Sequence, residues 1–386
     1  MAGYVRRGEY PGLVSVVSRR GEVHADVIGN MAFGGQEPMR RDTIFRIASM
    51  TKPVTAVAAM ILVEEGRLRL DEPVDRLLPE LADRQVLRSL DAQVDDTVPA
   101  GRPITLRDLL SFTMGSGMLM AMPGTYPIQA RIAELGFAPG PPKPGSDPPP
   151  DEWMRRLGTL PLVYQPGERW LYNTGSEVLG VLIARASGQP FDDFLKARIF
   201  EPLSMNDTGF FVQEGKIARL ATSYSVNWET GALEVYDQPV GGQWSRPPSF
   251  PSGAGGLVST VDDFLVFSRM MLGGGRLGSA RILARPSVET MTTDQLTPEQ
   301  KAGSSTQAGY FDTHGWGFGV SIVTRRTDVA STPGKYGWDG GLGTSWYVDP
   351  SEDMVTIVLT QVAWASPDPP NLFRDFWTLA YAAIDD

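Results

Sequence analysis

The segment from Ser49 to Pro53, Ser-Met-Thr-Lys-Pro, and the apolar run over residues 54–63 that follows it constrain this chain more than any other stretch. The run is apolar on nearly all sides and is followed by Glu64-Glu65-Gly66, so it predicts a buried helix that stops at Gly66. Proline is tolerated in the first turn of a helix but disrupts its interior, so Pro53 fixes where the helix begins. Ser49 therefore lies at the N-terminal end of the predicted helix.

Ser49 and Lys52 are three residues apart, which places their side chains on one face if the first turn is helical. The helix N-terminus adds unpaired N–H groups and partial positive charge, which suit a developing oxyanion. Lys52 also precedes a proline, which disfavours the α region and predicts an irregular first turn. Ser-x-x-Lys is short enough to arise by chance, and an N-cap serine beside a solvated lysine is the alternative.

Composition excludes several classes of function. The 386-residue chain carries a net charge of −10, which argues against a nucleic-acid partner. It has no cysteine and only two histidines, His24 and His314, so thiol catalysis is excluded and a multi-histidine metal site is not expected. No apolar run reaches the length of a membrane span, and the N-terminus has no apolar secretory segment, so we expect a cytoplasmic protein.

The order of the predicted elements is two strands, many helices, three strands and one helix. Residues 13–18 and 22–29 predict a hairpin, and residues 315–324, 344–349 and 354–361 predict three later strands. The simplest fold is α+β, with an antiparallel five-stranded sheet flanked by helices and made from both chain ends. The length favours two domains, which we place at 1–70 with 255–386 for the α/β domain and at 71–254 for an inserted, mainly helical domain.

Two further motifs contain candidate functional residues. Tyr172 lies in Pro-Gly-Glu-Arg-Trp-Leu-Tyr, just before a predicted helix, and its ordinary explanation is a core tyrosine with its hydroxyl at the edge. Trp338 lies in Gly-Trp-Asp-Gly-Gly-Leu-Gly, where the glycines allow a close backbone approach or simply a tight turn at a sheet edge. Met118 lies in a long irregular segment, residues 115–150, and either fills a gap or forms a pliable pocket wall.

Together, Ser49-x-x-Lys52, Tyr172 in its motif and Gly337-Trp338-x-Gly340 resemble the serine hydrolases of the class C β-lactamase fold, and most closely the family VIII carboxylesterases. The likeness runs from about Pro11 to the C-terminus. It implies a β-lactamase/penicillin-binding-protein-like fold, an acyl-serine intermediate, and no metal or other cofactor. A small-molecule ester is the implied partner, while the oligomeric state stays open.

The resemblance also implies the role of each residue. Ser49 is the expected nucleophile, Lys52 its general base, and Tyr172 the group that exchanges protons with the leaving group and with water. The oxyanion is expected between the backbone N–H groups of Ser49 and Gly341.

Two departures from the β-lactamase pattern bear on the substrate. β-Lactamases of this fold carry Tyr-x-Asn, where this chain has Thr174, and Lys-Thr-Gly, where it has Trp338-Asp339-Gly340. A tryptophan and a negative charge in place of that lysine disfavour an anionic β-lactam, although Lys335 offers a nearby cation. We therefore expect neutral, short-chain esters, bound by the set Trp338, Asp339, Gly340, Thr174 and Met118.

Other functions stay open at this point. A β-lactamase or D-amino-acid peptidase would use the same nucleophile, and an acyltransferase would pass the same acyl group to an alcohol or amine. A catalytically silent binding protein on this fold is an answer of a different class, against which the intact Ser49, Lys52 and Tyr172 argue.

Overall fold

A computed structural model of the protein describes residues 1–227, 230–304 and 309–385. An antiparallel seven-stranded sheet lies at its centre, in the order β11-β12-β13-β14-β15-β1-β2. The strands, in chain order, are β1 (Gly12–Arg19), β2 (Glu22–Gly29), β3 (Phe45–Arg46), β4 (Gln85–Leu87), β5 (Thr97–Pro99), β6 (Ser223–Val226), β7 (Leu233–Asp237), β8 (Val258–Ser259), β9 (Arg276–Leu277), β10 (Ala280–Arg281), β11 (His314–Trp316), β12 (Ser321–Val323), β13 (Tyr336–Gly340), β14 (Thr344–Asp349) and β15 (Met354–Leu359).

The two chain ends meet in the middle of this sheet. Strand β1 pairs with β2 in the predicted hairpin and, on its other edge, with β15, where Val16 lies opposite Ile357. Residues 12–16 of β1 and every residue of β15 are buried, because helices cover both faces at this point. The α+β fold with an antiparallel sheet is confirmed.

The prediction of five strands was wrong, because the sheet has seven. The single strand expected over residues 315–324 is a hairpin of β11 and β12, which turns at Gly319. Gly319 has a φ of +75°, and a Cβ at this position would lie 2.9 Å from the carbonyl oxygen of Lys52. The other added strand, β13, is the glycine-rich segment that sequence reasoning took for a turn leading into a strand.

Twelve α-helices complete the described part of the chain, and a π-helical turn, Lys196–Phe200, continues the seventh helix. The helices are α1 (Ala2–Arg6), α2 (Thr51–Glu64), α3 (Leu106–Leu110), α4 (Pro127–Glu134), α5 (Pro150–Gly158), α6 (Thr174–Ser187), α7 (Phe191–Leu195), α8 (Glu201–Leu203), α9 (Val261–Leu272), α10 (Arg285–Met291), α11 (Pro298–Ala302) and α12 (Asn371–Ala382). Helices α3 to α8 come from the segment predicted as an inserted domain, and the division into two domains stays a prediction. None of the described helices is long and apolar enough to cross a membrane.

Helix α2 lies at the centre of the molecule, as its apolar sequence predicts. All its residues from Thr51 to Leu62 are buried, and the helix ends at Glu64, two residues before Gly66 turns the chain with a φ of +69°. It packs mainly against α6. The short strand β3, which leads into α2, pairs with β8, so the segment before the helix is held from both sides.

Candidate active site

Ser49 lies in a short 3₁₀ turn, Ala48–Met50, that leads directly into α2. Ala48, the residue before it, has a φ of +43°, an unusual backbone conformation for a residue with a side chain. Lys52 lies in the first turn of α2 and is 1% exposed. Its Nζ donates hydrogen bonds to Ser49 Oγ at 3.0 Å and to the carbonyl oxygen of Ala254 at 2.8 Å. The structure therefore brings a buried amine to the serine hydroxyl.

Tyr172 lies on the other side of this amine. The Nζ of Lys52 is 4.5 Å from the centre of the tyrosine ring. The hydroxyl oxygen of Tyr172 accepts a hydrogen bond of 2.7 Å from Trp338 Nε1. An aromatic cluster that includes Phe112, Trp170 and Trp316 packs around the ring and fixes its orientation.

Strand β13 approaches the segment before Ser49 closely because it contains a glycine at the point of contact. A Cβ at Gly340 would lie 2.3 Å from the carbonyl oxygen of Ile47 and 2.1 Å from Thr344 Oγ1. Thr344 Oγ1 also donates a hydrogen bond of 3.1 Å to the Ile47 carbonyl oxygen. The end of β13 is thus packed directly on the segment that precedes Ser49.

A cavity of about 1070 Å³ opens at this point. Ser49 and Tyr172 line it, together with Met118, Trp338 and Gly341 from the sets predicted to bind the substrate and the oxyanion. The cavity is large enough for a drug-sized ligand. A serine hydroxyl and a phenol that line such a cavity, with a buried amine hydrogen-bonded to the serine, are able to carry out acyl transfer from an ester.

Of the remaining predicted substrate residues, Asp339 also lines the cavity, whereas Gly340 and Thr174 are not among its lining residues. Gly340 is buried and serves the close packing just described, while Thr174 is the first residue of α6. Asp339 follows Trp338 in β13, and because successive strand residues point to opposite faces, its carboxylate lies on the other face of the sheet. There Tyr347 donates a hydrogen bond of 2.9 Å to Asp339 Oδ2.

Burial shifts the pKa values of two groups beside Tyr347, namely Asp339 and Lys335. Burial raises the pKa of Asp339 to about 6, an effect that the hydrogen bond from Tyr347 and the charge of Lys335 only partly offset. Burial also lowers the pKa of Lys335 to about 8, and its Nζ donates to the carbonyl oxygen of Ala330 at 2.8 Å. Asp339 nevertheless lines the cavity together with Trp338, so the exclusion of anions that we predicted from these two residues stays a prediction.

Sequence reasoning missed two groups that line the same cavity, Ala254 and Glu177. Ala254 supplies a carbonyl oxygen to Lys52, and any residue type has that atom, so no sequence signal marks it. Glu177 lies in the first turn of α6, where an acidic residue is favoured by the helix dipole and attracts no notice. Burial raises the pKa of Glu177 to about 7.

The amino-acid sequence is similar to those of known proteins over most of its length. The family model described as Beta-lactamase matches residues 1–372. An uncharacterized protein of Mycobacterium tuberculosis is 39% identical over 362 residues, which cover 92% of this chain and 86% of that protein. Esterase EstB of Burkholderia gladioli is 31% identical over 388 residues, which cover 95% of this chain and 90% of the esterase.

A solved structure shares the fold over nearly the whole chain. It is EstCE1, described as a hydrolase with promiscuous acyltransferase activity, and it matches with a TM-score of 0.77 at 24% identity. The match covers 98% of this chain and 95% of EstCE1.

Proposed function

The chain belongs to the beta-lactamase family, as a family VIII type of serine hydrolase that acts on esters, and from this premise we propose that it cleaves neutral esters through an acyl group held on Ser49. The observation that carries the proposal is the hydrogen bond of 3.0 Å from Lys52 Nζ to Ser49 Oγ inside a cavity that Tyr172 also lines. This arrangement activates a serine without any histidine.

In the first half of the proposed reaction, Ser49 Oγ attacks the ester carbonyl while its proton passes to the unprotonated amine of Lys52. The negative charge on the carbonyl oxygen is held by the N–H groups of Ser49 and Gly341. The tetrahedral intermediate then collapses, the bond to the alcohol oxygen breaks, and Tyr172 gives that oxygen a proton. The alcohol leaves and an acyl-Ser49 ester stays.

In the second half, water attacks the acyl-Ser49 carbonyl after losing a proton to the phenolate of Tyr172. The bond to Ser49 Oγ breaks and the serine recovers its proton from Lys52, which releases the carboxylic acid. The hydrogen bond from Trp338 Nε1 to the Tyr172 oxygen supports this step, because it fixes the position of that oxygen.

A neutral substrate fits the groups that face the cavity. Trp338 presents an aromatic ring where β-lactamases of this fold carry a lysine, and Glu177 adds an acidic group. Neither group attracts the carboxylate of a β-lactam. The preference for short acyl chains stays a prediction, which a series of 4-nitrophenyl esters from acetate to dodecanoate checks.

The decisive experiment compares the wild type with Ser49→Ala, Lys52→Ala and Tyr172→Phe on 4-nitrophenyl acetate and on a chromogenic cephalosporin. We expect ester cleavage by the wild type, a loss of about 10³-fold or more in kcat for each variant, and little cephalosporin turnover. Ser351→Ala, at an exposed position outside the cavity, is the control and keeps full activity. Faster turnover of the cephalosporin than of the ester contradicts the proposal.

Acyl transfer is a second candidate, supported by the promiscuous acyltransferase activity described for EstCE1 and by a cavity with room for an alcohol beside the acyl group. The acyl-Ser49 ester partitions between water and any other nucleophile that reaches it. Adding 1-butanol to the ester assay and measuring butyl ester against free acid gives this partition directly.

A further inference from the structure

The turn from Ser252 to Gly255 is wedged between α2 and α6, the two helices that carry Lys52 and the residues after Tyr172. A Cβ at Gly253 would lie 2.3 Å from the carbonyl oxygen of Ser176 in α6 and 3.2 Å from Thr55 Cγ2 in α2. Thr55 Oγ1 donates a hydrogen bond of 2.7 Å to the Gly253 carbonyl oxygen. The turn is therefore fixed against both helices at its centre.

The same turn supplies the second acceptor of the Lys52 amine. Lys52 Nζ donates to the Ala254 carbonyl oxygen at 2.8 Å and to Ser49 Oγ at 3.0 Å. A flexible four-carbon stem does not by itself hold an amine in one place. The position of the Ala254 carbonyl therefore helps to set where the amine lies relative to the serine hydroxyl.

Glu177, in α6, accepts hydrogen bonds from this turn. Ser252 Oγ donates a hydrogen bond of 2.8 Å to Glu177 Oε1, and the Ala254 N–H donates a longer one of 3.4 Å to Oε2. Ser252 Oγ in turn accepts a hydrogen bond of 3.0 Å from the Gly255 N–H. The Glu177 carboxylate thus contacts the turn at two points, the hydroxyl of Ser252 and the N–H of Ala254.

We propose that Glu177 is the positioning residue for the general base: it holds the Ser252–Gly255 turn so that the Ala254 carbonyl keeps the Lys52 amine on Ser49. The inference rests on the proposed function, since it assumes that Lys52 takes the proton of Ser49. It deepens that function by adding a residue that acts through Lys52 without itself touching the substrate carbonyl.

The charge of Glu177 adds a second, measurable effect. Burial raises its pKa to about 7, while the Ser252 bond and the charge of Lys52 lower it and the charge of Asp147 raises it. Burial raises the pKa of Asp147, and the charge of Lys143 in turn lowers it in part. The charged groups around Glu177 are therefore Lys52 from α2 and, from the segment after α4, Asp147 with its neighbour Lys143. With a pKa of about 7, Glu177 changes its charge within the pH range of the assay, and Glu177→Gln removes this change.

The test uses the full-length protein with Glu177→Ala, which removes both hydrogen bonds, and Glu177→Gln, which keeps the acceptor for Ser252 and removes the charge. Glu201→Gln, on an exposed glutamate at the start of α8, is the matched control. Active sites are counted by labelling Ser49 with a fluorophosphonate, so that rates refer to folded enzyme. The readouts are kcat, KM and the pH profile of kcat/KM on 4-nitrophenyl acetate.

For Glu177→Ala we expect kcat per active site to fall about 10²-fold with little change in KM, because displacing a catalytic group by about 1 Å costs that much. For Glu177→Gln we expect a smaller loss, within about tenfold, and a pH profile of kcat/KM that lacks the contribution of Glu177 near pH 7. Glu201→Gln changes neither quantity.

Two outcomes overturn the inference. One is a Glu177→Ala enzyme whose kcat per labelled site equals that of the wild type, whatever its thermal midpoint. The other is a Glu177→Gln pH profile that superimposes on the wild type. If the wild type cleaves no ester, the proposed function fails, and the rate of fluorophosphonate labelling of Ser49 in Glu177→Ala against the wild type still decides the role of Glu177.

Discussion

Unusual backbone angles occur at the residues next to two of the groups that converge on the cavity. Ala48, before Ser49, has a φ of +43°, and Asn173, after Tyr172, has a φ of +84°. Such conformations cost about 1–3 kcal/mol each and persist only where the surrounding structure holds them. Here the packing of β13 and of the aromatic cluster holds them, so the serine and the phenol are fixed before a substrate binds.

Trp338 is the residue whose role the hydrogen bonds define most sharply. Replacing it by phenylalanine keeps an aromatic ring but removes the N–H that donates to Tyr172 at 2.7 Å. We expect kcat on 4-nitrophenyl acetate to fall about 10- to 100-fold with KM nearly unchanged, because a charge-assisted hydrogen bond is worth about 1.5–3 kcal/mol. Steady-state kinetics of Trp338→Phe measures this.

Trp170→Phe is the matched control for that substitution. The Trp170 ring also stacks on Tyr172, at 5.7 Å between centres, yet its Nε1 has no hydrogen-bond partner within the described residues. The control removes a similar volume from the same cluster and no hydrogen bond to Tyr172. Equal losses of kcat in the two variants would show that packing, and not donation to Tyr172, is what Trp338 provides.

At the scale of elements, the contact between β13 and the segment before α2 holds the site together. Gly340→Ala places a methyl group where the Ile47 carbonyl oxygen is 2.3 Å away, so β13 must move from the nucleophile. We expect kcat/KM to fall at least 10²-fold while far-ultraviolet circular dichroism stays that of a folded protein.

The control for that prediction is Gly215→Ala, where a Cβ would meet nothing within 4 Å and the glycine has no positive φ. It should leave kcat/KM unchanged. An active Gly340→Ala enzyme would contradict the view that close packing of β13 on Ile47 sets the geometry around Ser49.

Elements with strong local signals could be predicted from sequence, and those set by tertiary contacts could not. The apolar run and Pro53 predict α2, and Thr105 with Asp108 predicts the cap of α3, where the structure has both hydrogen bonds of a capping box. The split of β11 from β12 depends on how closely Gly319 approaches Lys52, which is a contact between distant segments. Glu177 and Ala254 were missed for the same reason.

At the scale of the whole molecule, the site lies where segments far apart in the chain meet. The sheet joins β1 to β15, which are separated by more than three hundred residues, and β13 reaches α2 from the same C-terminal group of strands. Ser49 and Lys52 come from one end of the chain, Tyr172 from the middle and Trp338 from the other end. Local fraying of any one segment therefore changes the site, and activity reports on the integrity of the whole sheet.

The carboxyl group of Asp339 makes the free energy of unfolding depend on pH. Burial raises the pKa of Asp339 from 3.8 to about 6, so the folded protein binds this proton more tightly than the unfolded chain does. Between these two values, stability falls as pH rises, and above them the full cost of an ionised, buried carboxylate is present. Other groups titrate in the same range, so only the difference between a variant and the wild type isolates Asp339.

Asp339→Asn removes that charge and keeps an acceptor for the Tyr347 hydroxyl. We expect the free energy of unfolding of the variant to equal that of the wild type near pH 4. Above pH 7 we expect it to be higher by about 1–3 kcal/mol, since solvent screens part of the charge. Urea denaturation at pH 4, 6 and 8 measures this, with Asp91→Asn at an exposed position as control. If the advantage of Asp339→Asn is the same at pH 4 as at pH 8, ionisation of Asp339 is not its cause.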